Sequence, residues 1–372
     1  MLTHMLTFAT ALVASVSLTP AVQKVAIRLG VVDRPGPRKV HLTPMPLLGV
    51  LAMYTGAVLA IILFNDGFAL EQVVGILAGA TILAIVGILD DRKLLHPQIK
   101  LMVAMPVAAL ILIAAGVQTS ACPLASLLPG SEAPYHFCAG AFTFLWVVGI
   151  TAAFNIFDHM DGLCAGIAAI ASAFFLLFAA LTDQGLTGTL AAATLGASLG
   201  FLRWNFNPAS IFMGDGGACF LGFMVATMGL TLQFPDLPQT TNWMIPVLIL
   251  GVPVFDTALI IISRSRRGLL PFASPGKDHT AHRLANLGLG QRGAVLALYG
   301  VGGLCGLLAL LVSRLAVWQS NALMGVFTLG AFLAILALER APYERQECLQ
   351  EEPACPTAGR VVHDTARDGS SG

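Results

Sequence analysis

Residues 152–165 read AFNIFDHMDGLCAG. Asn155, Asp158 and Asp161 recur there at three-residue intervals, so on a helix they share one face. Long apolar runs flank the stretch on both sides. A carboxylate close to hydrocarbon is costly and normally keeps a partner and a task. If both runs cross a membrane, the stretch is a tight polar turn between two spans, and the fold is a bundle of membrane helices. The composition agrees. Of 372 residues, 56% are hydrophobic and 11% charged, and the mean hydropathy is +0.81. That excludes an ordinary soluble domain and predicts an all-α, polytopic membrane protein. A formal net charge of zero offers no basic footprint, so no nucleic-acid partner is expected. The seven cysteines form no CxxC pair and no metal-ligand spacing. Cys164, Cys219 and Cys305 sit in apolar runs and read as small hydrophobes. Cys122 and Cys138 fall in one loop, where a disulfide could form.

Working outward, apolar stretches long enough to cross hydrocarbon fall near 5–27, 46–64, 72–89, 99–117, 139–157, 162–182, 186–203, 216–234, 243–262, 293–313 and 318–338. That predicts about eleven spans. The first run lacks the basic lead and the small-residue cleavage site of a signal peptide, so it reads as a span. With the N-terminus outside, nineteen of the twenty Lys and Arg residues lie on the inner side, and only Arg314 falls outside. This positive-inside bias predicts a cytoplasmic C-terminus. Residues 1–338 read as one transmembrane domain. Residues 339–372 read as a polar cytoplasmic tail whose composition predicts little order.

The same topology puts five polar clusters on the cytoplasmic side: VDRPGPRKVHLTPMP (32–46), GILDDRKLLHPQIKL (87–101), the opening stretch, FMGDGGACFLG (212–222), and the segment from Asp256 through SRSRRGLLPFASPGKDHTAHRL to Leu284. A transporter is expected to keep polar groups near the midplane. Here they gather at one face, which favours chemistry at the membrane surface. Asp90, Asp91, Asp158, Asp161 and Asp215 form a hard-oxygen set suited to Mg²⁺. Lys39, Lys100, Arg264, Arg266 and Arg267 are cations of the kind that hold phosphate. His279 and His282 could donate to phosphate oxygens or move protons. Together these are the equipment of phosphoryl transfer, and the membrane setting suggests a lipid phosphate as one substrate.

Each cluster alone has a plainer reading. Asp90 and Asp91, followed by Arg92 and Lys93, fit a solvated helix end. Asn155, Asp158 and Asp161 fit a capped turn, and Asp215 fits a helix N-cap. His41, His159, His279 and His282 fit exposed loops. Asp256 does not, because it lies about 12 Å before Arg264 along a helix, at 1.5 Å per residue. The conjunction of all five clusters on one side is what favours a site.

Five motifs in order also carry a resemblance: DRPGPRKVH (33–41), the aspartate pair of 87–101, FNIFDHMDGL (154–163), FMGDGGA (212–218), and PVFD (253–256) followed by DHTAHRL (278–284). From about Asp33 to Arg292 the chain resembles the polyprenyl-phosphate N-acetylhexosamine-1-phosphate transferases of glycosyltransferase family 4. The resemblance implies transfer of a sugar-1-phosphate, most simply GlcNAc-1-phosphate, from a UDP-N-acetylhexosamine to undecaprenyl phosphate. That reaction is the first membrane step of a cell-envelope glycan, such as a lipopolysaccharide or exopolysaccharide. It implies a Mg²⁺ cofactor, with Mn²⁺ as an alternative, and is compatible with a homodimer in the lipid bilayer. By position it implies Asp215 and Asp161 as metal ligands, with Asp158 near the metal or the diphosphate. Asp90, with Asp91 beside it, would orient or deprotonate the prenyl phosphate. Lys39, His41, Lys100 and Asn155 would contact substrates. His279 and His282, with Arg264, Arg266 and Arg267, would close over the nucleotide-sugar.

The chain departs from the family at three places. His159 stands where glycine is common, Ala281 interrupts a histidine loop that often reads His-x-His-His, and a glycine pair is reduced to Gly49. These favour a UDP-GlcNAc-like donor over UDP-MurNAc-pentapeptide. A CDP-alcohol phosphotransferase is the nearest rival chemistry, but DGLCAG lacks the continuation of that motif. From other classes, a transporter and an inactive member of the same lineage remain alternatives.

Overall fold

The computed structural model describes residues 1–34, 44–65, 67–119, 132–234, 237–270 and 276–341. Lys39, His41 and Cys122 lie outside the described residues.

Among the described residues the regular structure is helical, apart from one two-residue ladder. Helix α1 (Leu2–Arg28) leads into strand β1 (Val32–Asp33), which pairs antiparallel with β2 (Met45–Pro46). There follow α2 (Gly49–Leu63), α3 (Leu70–Asp91) and a short α4 (Pro97–Ile99). A π-helical turn at Lys100–Ala104 then enters α5 (Met105–Ala114). Next come α6 (Glu132–Phe157), α7 (Leu163–Leu181), α8 (Gly185–Asn205) and α9 (Gly214–Thr231). Short α10 (Gln239–Asn242) and α11 (Met244–Ile249) precede α12 (Gly251–Arg266). The chain ends through α13 (Thr280–Leu284), a second π turn at Ala285–Leu289, α14 (Gly290–Val312) and α15 (Val317–Leu338).

Each of the eleven apolar stretches contains a helix. Among the described residues, seven helices are long and apolar enough to cross a membrane, or eight if the pair Thr240–Ile249 and Gly251–Arg266, bent by 83°, counts as one span. The count falls short of eleven for a physical reason. Helix α2 and the helical run Lys100–Ala114 have 15 residues each, whereas about 20 are needed to cover hydrocarbon. Helix α9, with 18 residues, opens on Gly-Asp-Gly-Gly.

Helix α9 is the axis of the bundle. Nearly all of it is buried, and α3, α6, α2 and α7 pack around it. A helix enclosed on all sides needs no single apolar stripe. Small residues let its neighbours come close, as in membrane bundles generally. At the α3 crossing, a Cβ on Gly87 would overlap the backbone of Gly216. Helices α1, α7 and α8 form a second packed group.

The ends of these helices converge. The C-terminal ends of α3 and α6 meet the π turn before α5 and the N-terminal end of α9 through direct side-chain bonds. The end of α8 meets the start of α7, where Asn205 Oδ1 accepts the Gly162 N–H at 3.1 Å. The β ladder is tied to the same end. Phe212 N–H donates to Pro46 O at 2.9 Å, and Gly49 N–H donates to Phe212 O at 3.1 Å. Polar groups from distant parts of the sequence thus collect at one end of the bundle.

Candidate active site

The turn 158–162 between α6 and α7 touches three groups of side chains. The first is an aspartate centre. Lys100, at the start of its π turn, places Nζ 2.9 Å from Asp90 Oδ2 and 2.6 Å from Asp215 Oδ2. Asn155, in the last turn of α6, donates from Nδ2 to Asp215 Oδ1 at 3.0 Å. The Asp215 N–H, in the first turn of α9, donates to Asp91 Oδ1 at 3.1 Å. The positive end of that helix therefore faces the carboxylates. Gly214 makes this approach feasible. Its φ is +73°, and a Cβ there would overlap the Asp91 carboxylate.

Two features of this centre suit a cation. Asp91 Oδ2 is buried and has no hydrogen-bond partner among the described residues. Asp215 keeps 40% of its side chain exposed, against 10% for Asp90 and 13% for Lys100, so it is the carboxylate that faces outward. Asp158 joins from the turn. Burial, and then repulsion from Asp215, Asp91 and Asp161, pushes its carboxyl up to about 8. Carboxylates set close enough to raise one another's pKa, with one oxygen left unpartnered, form a hard-oxygen donor set that fits Mg²⁺.

The second group is built on histidine. Residues 276–284 fold back along α12, so that His279 Nδ1 lies 2.8 Å from Asp256 Oδ2. The Thr280 N–H donates to Asp256 Oδ1 at 2.7 Å. Asp256, singled out in the sequence as too deep for a surface residue, is 1% exposed. From the turn, the His159 ring stacks 4.0 Å from that of His279 and 4.8 Å from that of His282. Burial, followed by His279, pushes the His159 imidazole well below its usual pKa, so it is neutral at pH 7.

Arginines brace this group. Arg264 is bidentate on Asp278, with Nε 3.1 Å from Oδ2 and Nη2 2.8 Å from Oδ1, and Arg267 binds the same carboxylate. Burial opposes ionisation of Asp278, but the bonds from Arg264 and Arg267 outweigh it and hold the carboxyl down at about 2. Arg283 is fully buried. It donates to Asp278 O, Ser263 Oγ and Leu338 O, and pairs with Glu339 Oε1 at 2.8 Å. Arg266 points elsewhere, being 64% exposed and 3.8 Å from Glu339 Oε2.

The third group holds the turn itself. Asp161 Oδ2 accepts from Asn207 Nδ2 at 3.1 Å and from Ala209 N–H at 3.0 Å. Asn207 also reaches Gln291 and Arg292 at the start of α14. Tyr299 donates from its hydroxyl to Gly162 O.

The structure thus brings Asp90, Asp91, Lys100, Asn155 and Asp215 into one bonded set, with Asp158 against it. His279 and His282 gather around His159. Asp161 bonds to the loop after α8. Arg264 and Arg267 are occupied by Asp278. Sequence reasoning gave no role to Asp278, Arg283, Asn207, Gln291 or Tyr299. Asp278 and Arg283 carried a signal, as members of the DHTAHRL motif.

A model of glycosyl transferase family 4 matches residues 73–233. The chain is 35% identical over 330 residues to a probable undecaprenyl-phosphate N-acetylglucosaminyl 1-phosphate transferase of Bacillus subtilis, covering 89% of this chain and 90% of that one. It is 31% identical over 366 residues to a decaprenyl-phosphate N-acetylglucosaminephosphotransferase of Mycolicibacterium smegmatis, covering 91% and 89%. It is 26% identical over 333 residues to an undecaprenyl-phosphate alpha-N-acetylglucosaminyl 1-phosphate transferase of Yersinia pestis, covering 86% and 87%. At 35% identity through about nine-tenths of both chains, the similarity is one of descent: this multi-pass, all-α membrane protein belongs to glycosyl transferase family 4.

Proposed function

We propose that the protein transfers GlcNAc-1-phosphate from UDP-GlcNAc to undecaprenyl phosphate, releasing UMP. The observation that carries this reading is the Lys100 ammonium held between Asp90 and Asp215, beside Asn155 and the unpartnered oxygen of Asp91. The relatives' names support the sugar and the polyprenyl acceptor.

An oxygen of the lipid phosphate attacks the sugar-bearing phosphorus. A new P–O–P bond forms, the original anhydride bond breaks, and its bridging oxygen leaves with UMP. One anhydride replaces another, so the step runs near balance. The lipid phosphate is already largely dianionic at pH 7, its second pKa being about 6. Asp90 therefore orients the nucleophile more than it removes a proton. Lys100 sets the spacing of Asp90 and Asp215 and offers charge to a phosphate oxygen. Asn155 fixes the Asp215 carboxylate. Mg²⁺, or Mn²⁺ in its place, held by Asp215 and Asp91 with Asp158 beside them, would neutralise the diphosphate. Asp161 holds the turn, because its Oδ2 already accepts two N–H donors. His279 and His282 face the nucleotide-sugar, and Arg264 and Arg267 act through Asp278. Lys39 and His41 would contact the substrates' phosphates.

The same reading takes the eleven helical stretches as eleven spans in a bacterial inner membrane, with the N-terminus outside and the site cytoplasmic. The Lys and Arg asymmetry supports this. Residues 1–338 form the catalytic unit and 339–372 a cytoplasmic tail.

The test is UMP release by protein purified in detergent, with undecaprenyl phosphate and Mg²⁺, across a panel of UDP-sugars. Release from UDP-GlcNAc that needs lipid and metal, and is lost in Asp215→Asn, is the expected result. No release from any sugar by folded protein would refute the assignment.

A further inference from the structure

The histidine group holds more ligand atoms than contact with a nucleotide-sugar requires, and His159 is the odd member. Both of its ring nitrogens are buried, and neither has a hydrogen-bond partner on any other described residue. Buried polar atoms in that condition need an explanation, and an unseen ion is one. Its ring lies against those of His279 and His282. One ligand atom from each of His159, Asp256 and His279 lies within 4.8 Å of the other two. A carboxylate bonded to one imidazole nitrogen, as Asp256 is to His279 Nδ1, is the arrangement that fixes ring orientation and tautomer beside a metal.

We propose that His159, Asp256 and His279 form a second metal site, which takes a divalent transition metal of the zinc class through two imidazoles and a carboxylate. Nitrogen donors select zinc, cobalt or nickel over magnesium. The oxygen-donor centre at Asp215 has the opposite preference, so the two sites divide by ligand type. The buried Asp256 carboxylate, 2.8 Å from His279 Nδ1, suits the group to a cation rather than to a phosphate. Zinc bonds of about 2.0–2.2 Å place ligand atoms about 3.5 Å apart, so side-chain rotations that draw the present set in by about 1 Å complete three corners of a tetrahedron. The fourth corner stays open to water or to His282. Occupied, the site ties the 158–162 turn to the segment that follows α12.

The test uses the full chain in detergent, stripped with chelator and then titrated with Zn²⁺. Bound metal is counted by mass spectrometry, and Co²⁺ absorption serves as a spectroscopic probe. The tail carries Cys348, Cys355 and His363, which can hold metal by themselves, so the reading is the difference between variants. Because it breaks no hydrogen bond to another described residue, His159→Gln is expected to keep the fold. It should remove one equivalent of Zn²⁺ or weaken it about tenfold or more, and it should abolish the visible Co²⁺ band. Asp256→Asn should do the same, and Asp215→Asn should leave zinc unchanged. Equal zinc content and equal Co²⁺ spectra in wild type and His159→Gln would overturn the proposal, as would loss of the same equivalent in Asp215→Asn. No outcome depends on UMP release, so the metal site and the transferase reading can fail separately.

Discussion

Lys100 has the most to lose by substitution. Its ammonium is a compact charge between two carboxylates at 2.6 and 2.9 Å. Without it, Asp90 and Asp215 repel each other across the position that the proposed reaction gives to phosphate oxygens. Lys100→Met should lower UMP release about a hundredfold or more, the usual effect of removing one charge-stabilising group. Lys100→Arg should restore little, because a planar fork cannot occupy a point-charge position. Measuring kcat and KM for both variants checks this. At this scale the sequence was informative wherever a residue type has few tasks in a membrane. Aspartates at the ends of apolar runs are such residues, and so is Asp256. It was uninformative for His159, because an imidazole between two spans reads equally well as exposed. The ring stack that makes it notable depends on a segment 120 residues later, from which no short-range pattern reaches it.

Among elements, the α3–α9 crossing sets the geometry. Gly87 and Gly216 meet backbone to backbone there, immediately before Asp90 and Asp91 and immediately after Asp215. Gly87→Ala forces the two helices apart, with a cost of about 1–3 kcal/mol as for overpacking elsewhere. Activity should fall by more than the lost stability explains, because the aspartates move with the helix. Gly140→Ala, where a Cβ meets nothing within 4 Å, should be neutral or stabilising. Thermal unfolding and UMP release on the same samples separate the two effects.

The bond of Asp278 to α12 is a second such tie. A carboxyl held at about 2 against an ordinary 3.8 stabilises the fold above pH 4, and that contribution disappears as pH falls toward 2. Asp278→Asn should therefore cost about 2–3 kcal/mol at pH 7, with the gap to wild type closing between pH 4 and pH 2. Denaturation at several pH values tests the sign. Helix positions were legible in the sequence, whereas helix lengths were less so. Apolar residues continue past the ends of α2 and α5, so a hydropathy window sees a span where the backbone forms only 15 helical residues. The 83° bend before α12 left no proline or glycine signal distinct from those of unbroken helices.

Over the whole molecule, the last helix closes the site that the middle helices begin. Arg283, fully buried one residue after His282, bonds to Leu338 O and Glu339 at the end of α15. A chain ending at Ala341 should keep UMP release. One ending at Ala337 removes Leu338 and Glu339 from Arg283, leaving it Asp278 and Ser263, and should lose most activity while still entering the membrane. Membrane fractionation and activity of the two truncations decide this. The general plan, with polar groups gathered on one side of a helical bundle, was legible because the positive-inside rule needs only the order of charges along the chain. The bracing of the histidine segment by α15 was not, because a guanidinium bonded to a backbone carbonyl 55 residues away has no sequence signature. That contact also sets an order in time. During synthesis the aspartate centre is complete once α9 has emerged, but Arg283 must wait for the final turn of the final helix. The proposed site is therefore incomplete while the chain is being made, and a ribosome that stalls late releases a membrane protein with its aspartate cluster assembled and its histidine segment unbraced.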